Sequence, residues 1–167
     1  VDPSAFVLDM GQNLAGFPEI TVRGKKGQKI TLLVSESLTD EGACNQRQTG
    51  RQHYYEYTLK GEGVETWHPR FSYYGFRYIQ VEGAVLKGQK NPFRLPVIQK
   101  IQSCFVYNSA PKISTFECSN RIFNDAHRLI EKAVRSNMQS VFTDCPHREK
   151  LGWLEQDHLC GPGLLYN

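Results

Sequence analysis

The sequence predicts a mainly β fold with helices at the carboxyl end. Over residues 6–108, short runs alternate between apolar and polar side chains, and Gly, Asn and Asp clusters separate them. After Pro111, apolar residues recur at helical spacing instead. Several short strands at this spacing are typical of an antiparallel sandwich. We therefore expect a β-sandwich domain over residues 1–110 and helices over residues 111–167.

The composition indicates a folded chain. The 167 residues are 40% hydrophobic and 22% charged, which supplies at least one full core and excludes a disordered tail. No run of 18 apolar residues occurs, so we predict no membrane span. Lys and Arg outnumber Asp and Glu by 20 to 17, and the densest basic stretch, residues 23–29, is brief. We therefore expect no nucleic-acid partner.

The two ends of the sequence predict that it belongs to a longer polypeptide. Val1-Asp2-Pro3 offers neither an initiator Met nor the apolar run of a signal peptide. Residues 164–167 continue a helical pattern without a stop signal. The compartment stays open on these grounds. Five cysteines cannot all form disulfide pairs, so we predict no disulfide framework. They are Cys44, Cys104, Cys118, Cys145 and Cys160.

Period-two alternation locates the predicted strands. In one of them Ile30, Leu32 and Val34 share a face, which we expect to point into the core. The longest loop, residues 40–52, is a candidate for lying over a ligand groove, and a plain surface excursion is the alternative. The predicted strands cover residues 6–9, 18–23, 29–36, 54–59, 66–69, 76–82 and 98–107.

Two helices follow in the prediction. Apolar residues at helical spacing from Ile122 to Met138 predict a helix of about five turns, capped by Ser119 or Asn120. Its apolar face is wide and must be buried against a partner. A second helix is expected to begin between residues 152 and 154 and to end at residues 161–163, Gly-Pro-Gly.

Residues 144–158 form the densest cluster of reactive side chains. Four carboxylates, two histidines, an arginine and a tryptophan fall within these fifteen positions. On one straight helix Asp144 and Glu149 would lie about 140° apart, and Pro146 and Gly152 argue against such a helix. A turn that leads into a helix at about Leu154 would allow the polar side chains to line one cavity.

Carboxylates beside an indole and a guanidinium suit carbohydrate chemistry. A carboxylic acid can protonate a leaving oxygen, polar groups can hold ring hydroxyls, and an indole can cover the apolar face of a sugar. Because a guanidinium favours the ionised form of a neighbouring carboxyl, we expect Arg148 to point at substrate hydroxyls or at Asp144 rather than at Glu149. A solvated corner of salt bridges is the alternative interpretation of this segment.

The same segment contains residues that suit two further kinds of chemistry. Cys145 and His147, and again His158 and Cys160, form mirrored pairs with one intervening residue. Paired zinc ligands are normally two to five residues apart, so no metal site is predicted. A Cys145 nucleophile with His147 or His158 as its base is a similarly weak alternative. No cofactor is expected.

The residues 144–153, D-C-P-H-R-E-K-L-G-W, resemble a motif of bacterial α-L-rhamnosidases, the inverting glycoside hydrolase family 78. That motif reads D-C-P-x-R-(D)-E-R-x-G-W. Residues 7–16, 35–38 and 71–79 resemble the β-sandwich that precedes the family's catalytic domain. Residues 115–120 are similar to the start of its catalytic (α/α)6 barrel. These segments follow the family's order and span nearly the whole chain.

The resemblance implies an antiparallel β-sandwich followed by the first helices of a truncated (α/α)6 barrel. It implies inverting removal of terminal α-L-rhamnose from rhamnosides, so the expected partners are a rhamnose-containing glycan or glycoside and the remainder of the barrel. Glu149 matches the family's general acid, and Asp144 and Arg148 match residues that hold the rhamnose hydroxyls. Trp153 matches an aromatic residue of the sugar subsite.

The sequence departs from the family pattern in two places. Many members have an extra acidic residue before the glutamate, and many have W-x-G-D where this chain has Trp153 followed by Leu-Glu-Gln. Gln156 thus takes the place of an aspartate that contacts substrate, and Glu155 or Asp157 are alternative replacements. The family's general base is a later glutamate that this sequence does not reach, so we expect the chain alone to be inactive.

Two other roles remain open for the first hundred residues. One is a non-catalytic carbohydrate-binding module, with aromatic residues on a surface that faces the sugar. The other is a scaffold that braces the barrel beneath the strand at residues 71–79. The aromatic candidates for the first role are Tyr54, Tyr55, Tyr73 and Tyr74.

Overall fold

A computed structural model describes residues 5–166, so the expectations that involve Val1-Asp2-Pro3 and Asn167 lie outside the described residues. The chain divides into two compact units between Phe105 and Val106. Neither helix of the described residues is long and apolar enough to cross a membrane. The elements are β1 Phe6–Arg23, β2 Lys29–Ser35, β3 Tyr54–Thr58, β4 Val64–Trp67, β5 Tyr74–Glu82, β6 Val85–Leu86, β7 Val97–Phe105, α1 Arg121–Asn137 and α2 Leu154–Tyr166.

The first unit is built from β-strands around β1. The hydrogen-bonded order is β3-β2-β5-β1-β7-β6, and β4 also pairs with β1. β6 and β7 run parallel, and the pairs β1–β4, β1–β5, β1–β7, β2–β3 and β2–β5 are antiparallel. The amino-terminal part of β1, from Phe6 to Gly16, pairs with β5, and the part from Gly16 to Arg23 pairs with β7. One strand therefore belongs to two groups of strands.

The observed β1 corrects the sequence prediction, which drew two short strands at residues 6–9 and 18–23. The pairing with β5 shifts register between Asp9 and Leu14. The shift interrupts the period-two alternation, although the backbone pairing resumes beyond it. β6 was not predicted, because two residues are too few to display an alternation.

The core of this unit consists mainly of aliphatic and aromatic side chains from five strands, with Leu59 and Ala84 from the connecting segments. Ile30, Leu32 and Val34 are fully buried, as the alternation in β2 predicts. Burying each such side chain stabilises the fold by roughly 1.5–3 kcal/mol. The buried cluster comprises Leu14, Ile20, Val22, Ile30, Leu32, Val34, Tyr55, Leu59, Phe76, Ile79, Val81, Ala84 and Ile98.

Gly16 lies where β1 passes from one group of strands to the other. It is paired with Tyr74 of β5 and with Phe105 of β7, and it is buried. A Cβ atom at this position would lie 1.9 Å from the carbonyl oxygen of Cys104. Only glycine permits this approach of β1 to β7, because any side chain would force the two backbones apart.

The long loop between β2 and β3 is fastened to the sheet. The side-chain Nε2 of Gln46 donates to the carbonyl oxygen of Val34 at 2.9 Å, and its Oε1 accepts from the backbone N–H of His53 at 2.7 Å. The backbone N–H of Cys44 donates to Oε1 of Gln80 at 3.0 Å. These bonds favour the interpretation of this loop as a surface excursion held in place by its own polar groups.

The second unit contains both helices. α1 begins as predicted, with Asn120 as its cap: the side-chain oxygen accepts from the N–H of Ile122 at 2.9 Å. Part of its apolar stripe is exposed within the described residues 5–166. The exposed apolar side chains of α1 are Ile122, Phe123, Leu129 and Ile130.

The predicted end of the second helix is wrong. α2 continues through Gly161, Pro162 and Gly163 to Tyr166. A proline inside a helix removes one backbone hydrogen bond, but helices with an internal proline do occur. Helix propensity is a weak indicator where the residues on both sides are compatible with a helix, as they are around Pro162.

Gly16→Ala should destabilise the sandwich by about 3 kcal/mol or more, because the added methyl meets backbone rather than a movable side chain. Gly42→Ala is the matched control in the same unit. It has φ +82° and nothing within 4 Å of a new Cβ, so only a conformational cost of about 1–2 kcal/mol is expected. Urea unfolding of the two variants measures the difference. A Gly16→Ala variant no less stable than Gly42→Ala would contradict the steric argument.

Candidate active-site loop

The segment between α1 and α2 is fastened to the end of α1. Met138 and Phe142 form an isolated antiparallel bridge. The buried Thr143 donates its backbone N–H to the carbonyl oxygen of Asn137 at 2.9 Å, and its hydroxyl lies 3.2 Å from the same oxygen. Thr143 therefore satisfies a carbonyl group that the end of a helix leaves without a partner, and it fixes where the following residues start.

Asp144 closes the loop that carries most of the predicted site. Its backbone N–H donates to the carbonyl oxygen of Leu151 at 3.0 Å, and its Oδ1 accepts from the N–H of Leu151, also at 3.0 Å. Partial burial raises the pKa of Asp144, but hydrogen bonds from the N–H groups of Leu151 and Cys145 outweigh it, and the net pKa is lowered. Asp144 is thus an ionised carboxylate that holds the loop shut.

Glu149 lies near the tip of this loop beside Arg148. Its Oε1 accepts a hydrogen bond from Nη2 of Arg148 at 2.9 Å. The side chains of Arg148 and Glu149 are 56% and 38% exposed. The expectation that Arg148 points away from Glu149 is therefore wrong. Oδ1 of Asp144 already accepts from Leu151, and the two neighbouring residues share an exposed turn in which their charges attract.

The remaining predicted site residues follow the loop. Trp153 directly precedes α2 and is 51% exposed. The N–H of Gln156 donates to the Trp153 carbonyl oxygen at 3.0 Å, which starts the helix. Glu155 and Asp157 lie in the first turn, where carboxylates interact favourably with the helix dipole. Successive residues on a helix are about 100° apart, so these three side chains point in different directions.

The structure thus brings together Asp144, Arg148 and Glu149 on one closed loop. Trp153 stands at the exit of that loop. The described residues alone do not enclose Glu149 in a dry pocket, since it and the indole are both exposed. Among residues 5–166, no group of three or more His, Cys, Asp or Glu side chains is arranged to hold a metal ion.

One contact in the loop was not anticipated from the sequence. The backbone N–H of Glu149 donates to Sγ of Cys145 at 3.2 Å. The two residues are four positions apart, a spacing that allows a side chain to reach back to the backbone within one turn. The spacing is the one feature of the sequence that indicates this hydrogen bond. It is a weak indicator, because a cysteine sulfur is a weak hydrogen-bond acceptor.

The sandwich segments of the family resemblance meet through the pairing of β1 with β5. Asp9 accepts two hydrogen bonds from Arg77, from Nε at 2.8 Å and from Nη2 at 2.7 Å. Nδ2 of Asn13 donates to Oε1 of Glu36 at 2.7 Å. The bond from Arg77, followed by one from the Gly11 N–H, lowers the pKa of Asp9 to about 2. No local pattern in the sequence singles out this ion pair.

The aromatic residues considered for a carbohydrate-binding surface pack partly against one another. Tyr55 is 7% exposed, and its ring centroid lies 5.2 Å from that of Tyr74. Tyr74 in turn stacks on the ring of the buried His53 at 4.1 Å. Tyr55 is therefore a core residue, and its ring is not a platform for a sugar.

Family models match both units of the chain. A family model described as the bacterial alpha-L-rhamnosidase concanavalin-like domain matches residues 1–107. Another, described as the bacterial alpha-L-rhamnosidase 6 hairpin glycosidase domain, matches residues 111–167. The chain belongs to the bacterial α-L-rhamnosidase family. The predicted resemblance and the predicted fold class, a β-sandwich followed by the first helices of a barrel, are confirmed.

Relatives and solved structures agree with this assignment. The chain is 34% identical to an alpha-L-rhamnosidase of Formosa agariphila, over 97% of this chain and 17% of that protein. It is 35% identical to one of Streptomyces avermitilis, over 98% of this chain and 15% of that protein. The structure of alpha-L-rhamnosidase from Dictyoglumus thermophilum matches with a TM-score of 0.83 and 30% identity, over 99% of this chain and 18% of that one.

A further solved structure, the Streptomyces avermitilis alpha-L-rhamnosidase complexed with L-rhamnose, matches with a TM-score of 0.80 and 34% identity. The match covers 96% of this chain and 15% of that one. The chain therefore spans less than a fifth of the length of these relatives.

The Asp9 carboxyl should titrate near pH 2 in the folded chain, and Arg77→Met should move its pKa back toward the ordinary 3.8. Since the folded pKa is the lower one, the stabilisation by this pair is present above pH 3.8 and is lost as the pH falls toward 2. Carboxyl NMR titration measures both values. Lys29→Met, which removes the partner of Glu56, is the control and should leave Asp9 unchanged. An ordinary pKa for Asp9 in the native chain would contradict the pairing.

Proposed function

We propose that this chain is part of an inverting glycoside hydrolase that removes terminal α-L-rhamnose from rhamnosides, with Glu149 as general acid. The observation that carries the proposal is the position of Glu149 near the tip of a closed loop, inside the segment that matches a glycosidase domain. The relatives' names support the choice of rhamnose as substrate.

The loop suits proton donation when the rest of the catalytic domain covers it. Hydrolysis of a glycoside requires a carboxylic acid beside the departing oxygen as an oxocarbenium-like charge develops on the sugar. Covering the loop would exclude water and favour the protonated form of the Glu149 carboxyl. Asp144 stays ionised, as its lowered pKa requires, and supplies acceptor oxygens. Arg148 would then exchange its contact with Glu149 for the sugar hydroxyls.

The sugar subsite would extend from the loop to the start of α2. The indole of Trp153 would pack against the apolar face of the rhamnose ring, and its present exposure leaves that face available. Of Glu155, Gln156 and Asp157, one would take the place of the aspartate that other family members carry. Gln156 is the least exposed of the three and occupies the matching position.

The general base would come from a part of the polypeptide outside this chain. An inverting hydrolase needs a second carboxylate about 6.5–9.5 Å from the acid, with a water molecule between them. The family's base is a later glutamate, and the relatives are several times longer than this chain. The 167-residue chain alone would therefore be inactive.

The two parts of the chain would have different roles in the parent enzyme. Residues 111–167 would begin the (α/α)6 barrel, and the exposed apolar stripe of α1 would pack against its later helices. Residues 1–110 would form a sandwich that braces the barrel. The packing of Tyr55 and Tyr74 inside the sandwich favours this scaffold role over a sugar-binding surface.

Glu149→Gln in the full-length parent enzyme should slow the hydrolysis of an alkyl rhamnoside by about 10²- to 10⁴-fold. An aryl rhamnoside with a good leaving group should be slowed much less, because its departure needs little proton donation. The kinetic constants kcat and kcat/KM on both substrates measure this. Glu56→Gln, on the surface of the sandwich, is the control and should leave both rates unchanged. Equal losses on the two substrates would exclude the acid role.

The first product of hydrolysis should be β-L-rhamnose. Inversion follows from attack by water on the face opposite the departing group. Proton NMR recorded during the first minutes of the reaction, before the anomers equilibrate, distinguishes the two products. Initial formation of α-L-rhamnose would show retention and would contradict the proposed mechanism.

A further inference from the structure

The sulfur of Cys145 holds the backbone from which the Glu149 carboxyl extends. Sγ of Cys145 accepts the Glu149 N–H at 3.2 Å. Two residues later, Oδ1 of Asp144 accepts the N–H of Leu151 at 3.0 Å. Two consecutive side chains, of Asp144 and Cys145, therefore fix the backbone on both sides of Lys150.

The backbone conformation of Lys150 requires these two hydrogen bonds. Its φ is +57°, in the left-handed region that residues with a side chain rarely adopt. Such a conformation costs free energy and persists only where the surroundings impose it. The hydrogen bonds at Glu149 and Leu151 impose it here. The direction in which the Glu149 side chain leaves the loop depends on them.

We propose that Cys145 is a positioning residue, whose sulfur fixes the Glu149 backbone and so aims the Glu149 carboxyl at the oxygen that leaves. The proposal rests on the proposed function of Glu149. Cys145 does not contact the reacting atoms in this role, and its thiol neither gains nor loses a proton. It acts as a hydrogen-bond acceptor only, which is within the capacity of a cysteine sulfur.

A misaimed acid affects one step of the reaction more than the others. Proton transfer needs the carboxyl within about 2.6–3.2 Å of the oxygen that receives the proton. A small displacement of the carboxyl therefore slows substrates that depend on protonation. Substrate binding and the departure of a good leaving group do not require that alignment. A residue that only stabilises the fold would lower the rate on both substrates alike.

The test uses the full-length parent enzyme with Cys145→Ala, Cys145→Ser and Glu149→Gln. Cys104→Ala, which removes a partly buried thiol from strand β7, is the control. The constants kcat and KM are measured on an alkyl rhamnoside and on a 4-nitrophenyl rhamnoside. Cys145→Ala should lower kcat on the alkyl rhamnoside roughly tenfold, equivalent to the loss of one hydrogen bond, with KM unchanged. The loss on the aryl substrate should be below about twofold.

Cys145→Ser keeps a hydrogen-bond acceptor at the same position. Because the Cβ–Oγ bond of serine is shorter than the Cβ–Sγ bond of cysteine, the oxygen lies farther from the Glu149 N–H than the sulfur does. It should recover most of the activity on the alkyl rhamnoside. If Cys145→Ala does not fold, Cys145→Val, which also lacks an acceptor, carries the comparison. For the variant without an acceptor, a larger loss on the alkyl than on the aryl substrate supports the proposal, and equal losses or unchanged rates overturn it.

Glu149→Gln separates the two possible failures. If Glu149→Gln discriminates between the substrates and the Cys145 variants do not, the positioning role is wrong and the function of Glu149 stands. If Glu149→Gln slows both substrates equally, the proposed function itself fails. Loss of all activity on both substrates in a folded Cys145→Ser would also overturn the positioning role, since it would indicate a nucleophilic thiol.

Discussion

A backbone approach that only glycine permits, at Gly16, holds the β half of this chain together. β1 pairs with β5 before this residue and with β7 after it, so one strand serves two groups of strands. Side chains from both groups, such as Ile79 and Ile98, pack in a single buried cluster. The same strand carries Asp9, whose ion pair with Arg77 lies at the start of the register shift in the β1–β5 pairing. The sandwich therefore depends on a continuous β1, and its continuity depends on the absence of a side chain at one position.

The carboxyl-terminal unit is held differently, because hydrogen bonds between residues close in sequence fix the conformation of its loop. The loop from Asp144 to Leu151 is closed by its own hydrogen bonds and is fastened to the end of α1 through Thr143. It therefore presents Glu149 in a defined backbone conformation even though much of the surrounding apolar surface, including Trp153, is exposed. A site built in this way needs a cover, and the exposed stripe of α1 needs one as well. Both requirements are met if residues 111–167 belong to a larger catalytic domain, as proposed above.

The sequence predicted those features that depend on local pattern or on a family motif. Alternation in β2 placed Ile30 in the core, and the cap at Asn120 followed from the preference of helix ends for short polar side chains. It failed where distant or geometric factors decide. β1 continues past a register shift because β5 and β7 pair with it, and α2 continues past Pro162 despite low propensity. The contact of Arg148 with Glu149 depends on which acceptors the closed loop has already used, which no one-dimensional pattern contains.

The proposed mechanism places the carboxyl of Glu149 beside the bond that breaks. A crystal structure of the full-length parent enzyme with a sulfur-linked rhamnoside, which resists hydrolysis, tests this most directly. We expect a Glu149 oxygen within about 3.2 Å of the bridging atom between the sugar and its leaving group, or one water molecule away. A Glu149 side chain turned into bulk solvent, with another acid at the bridging atom, would contradict it.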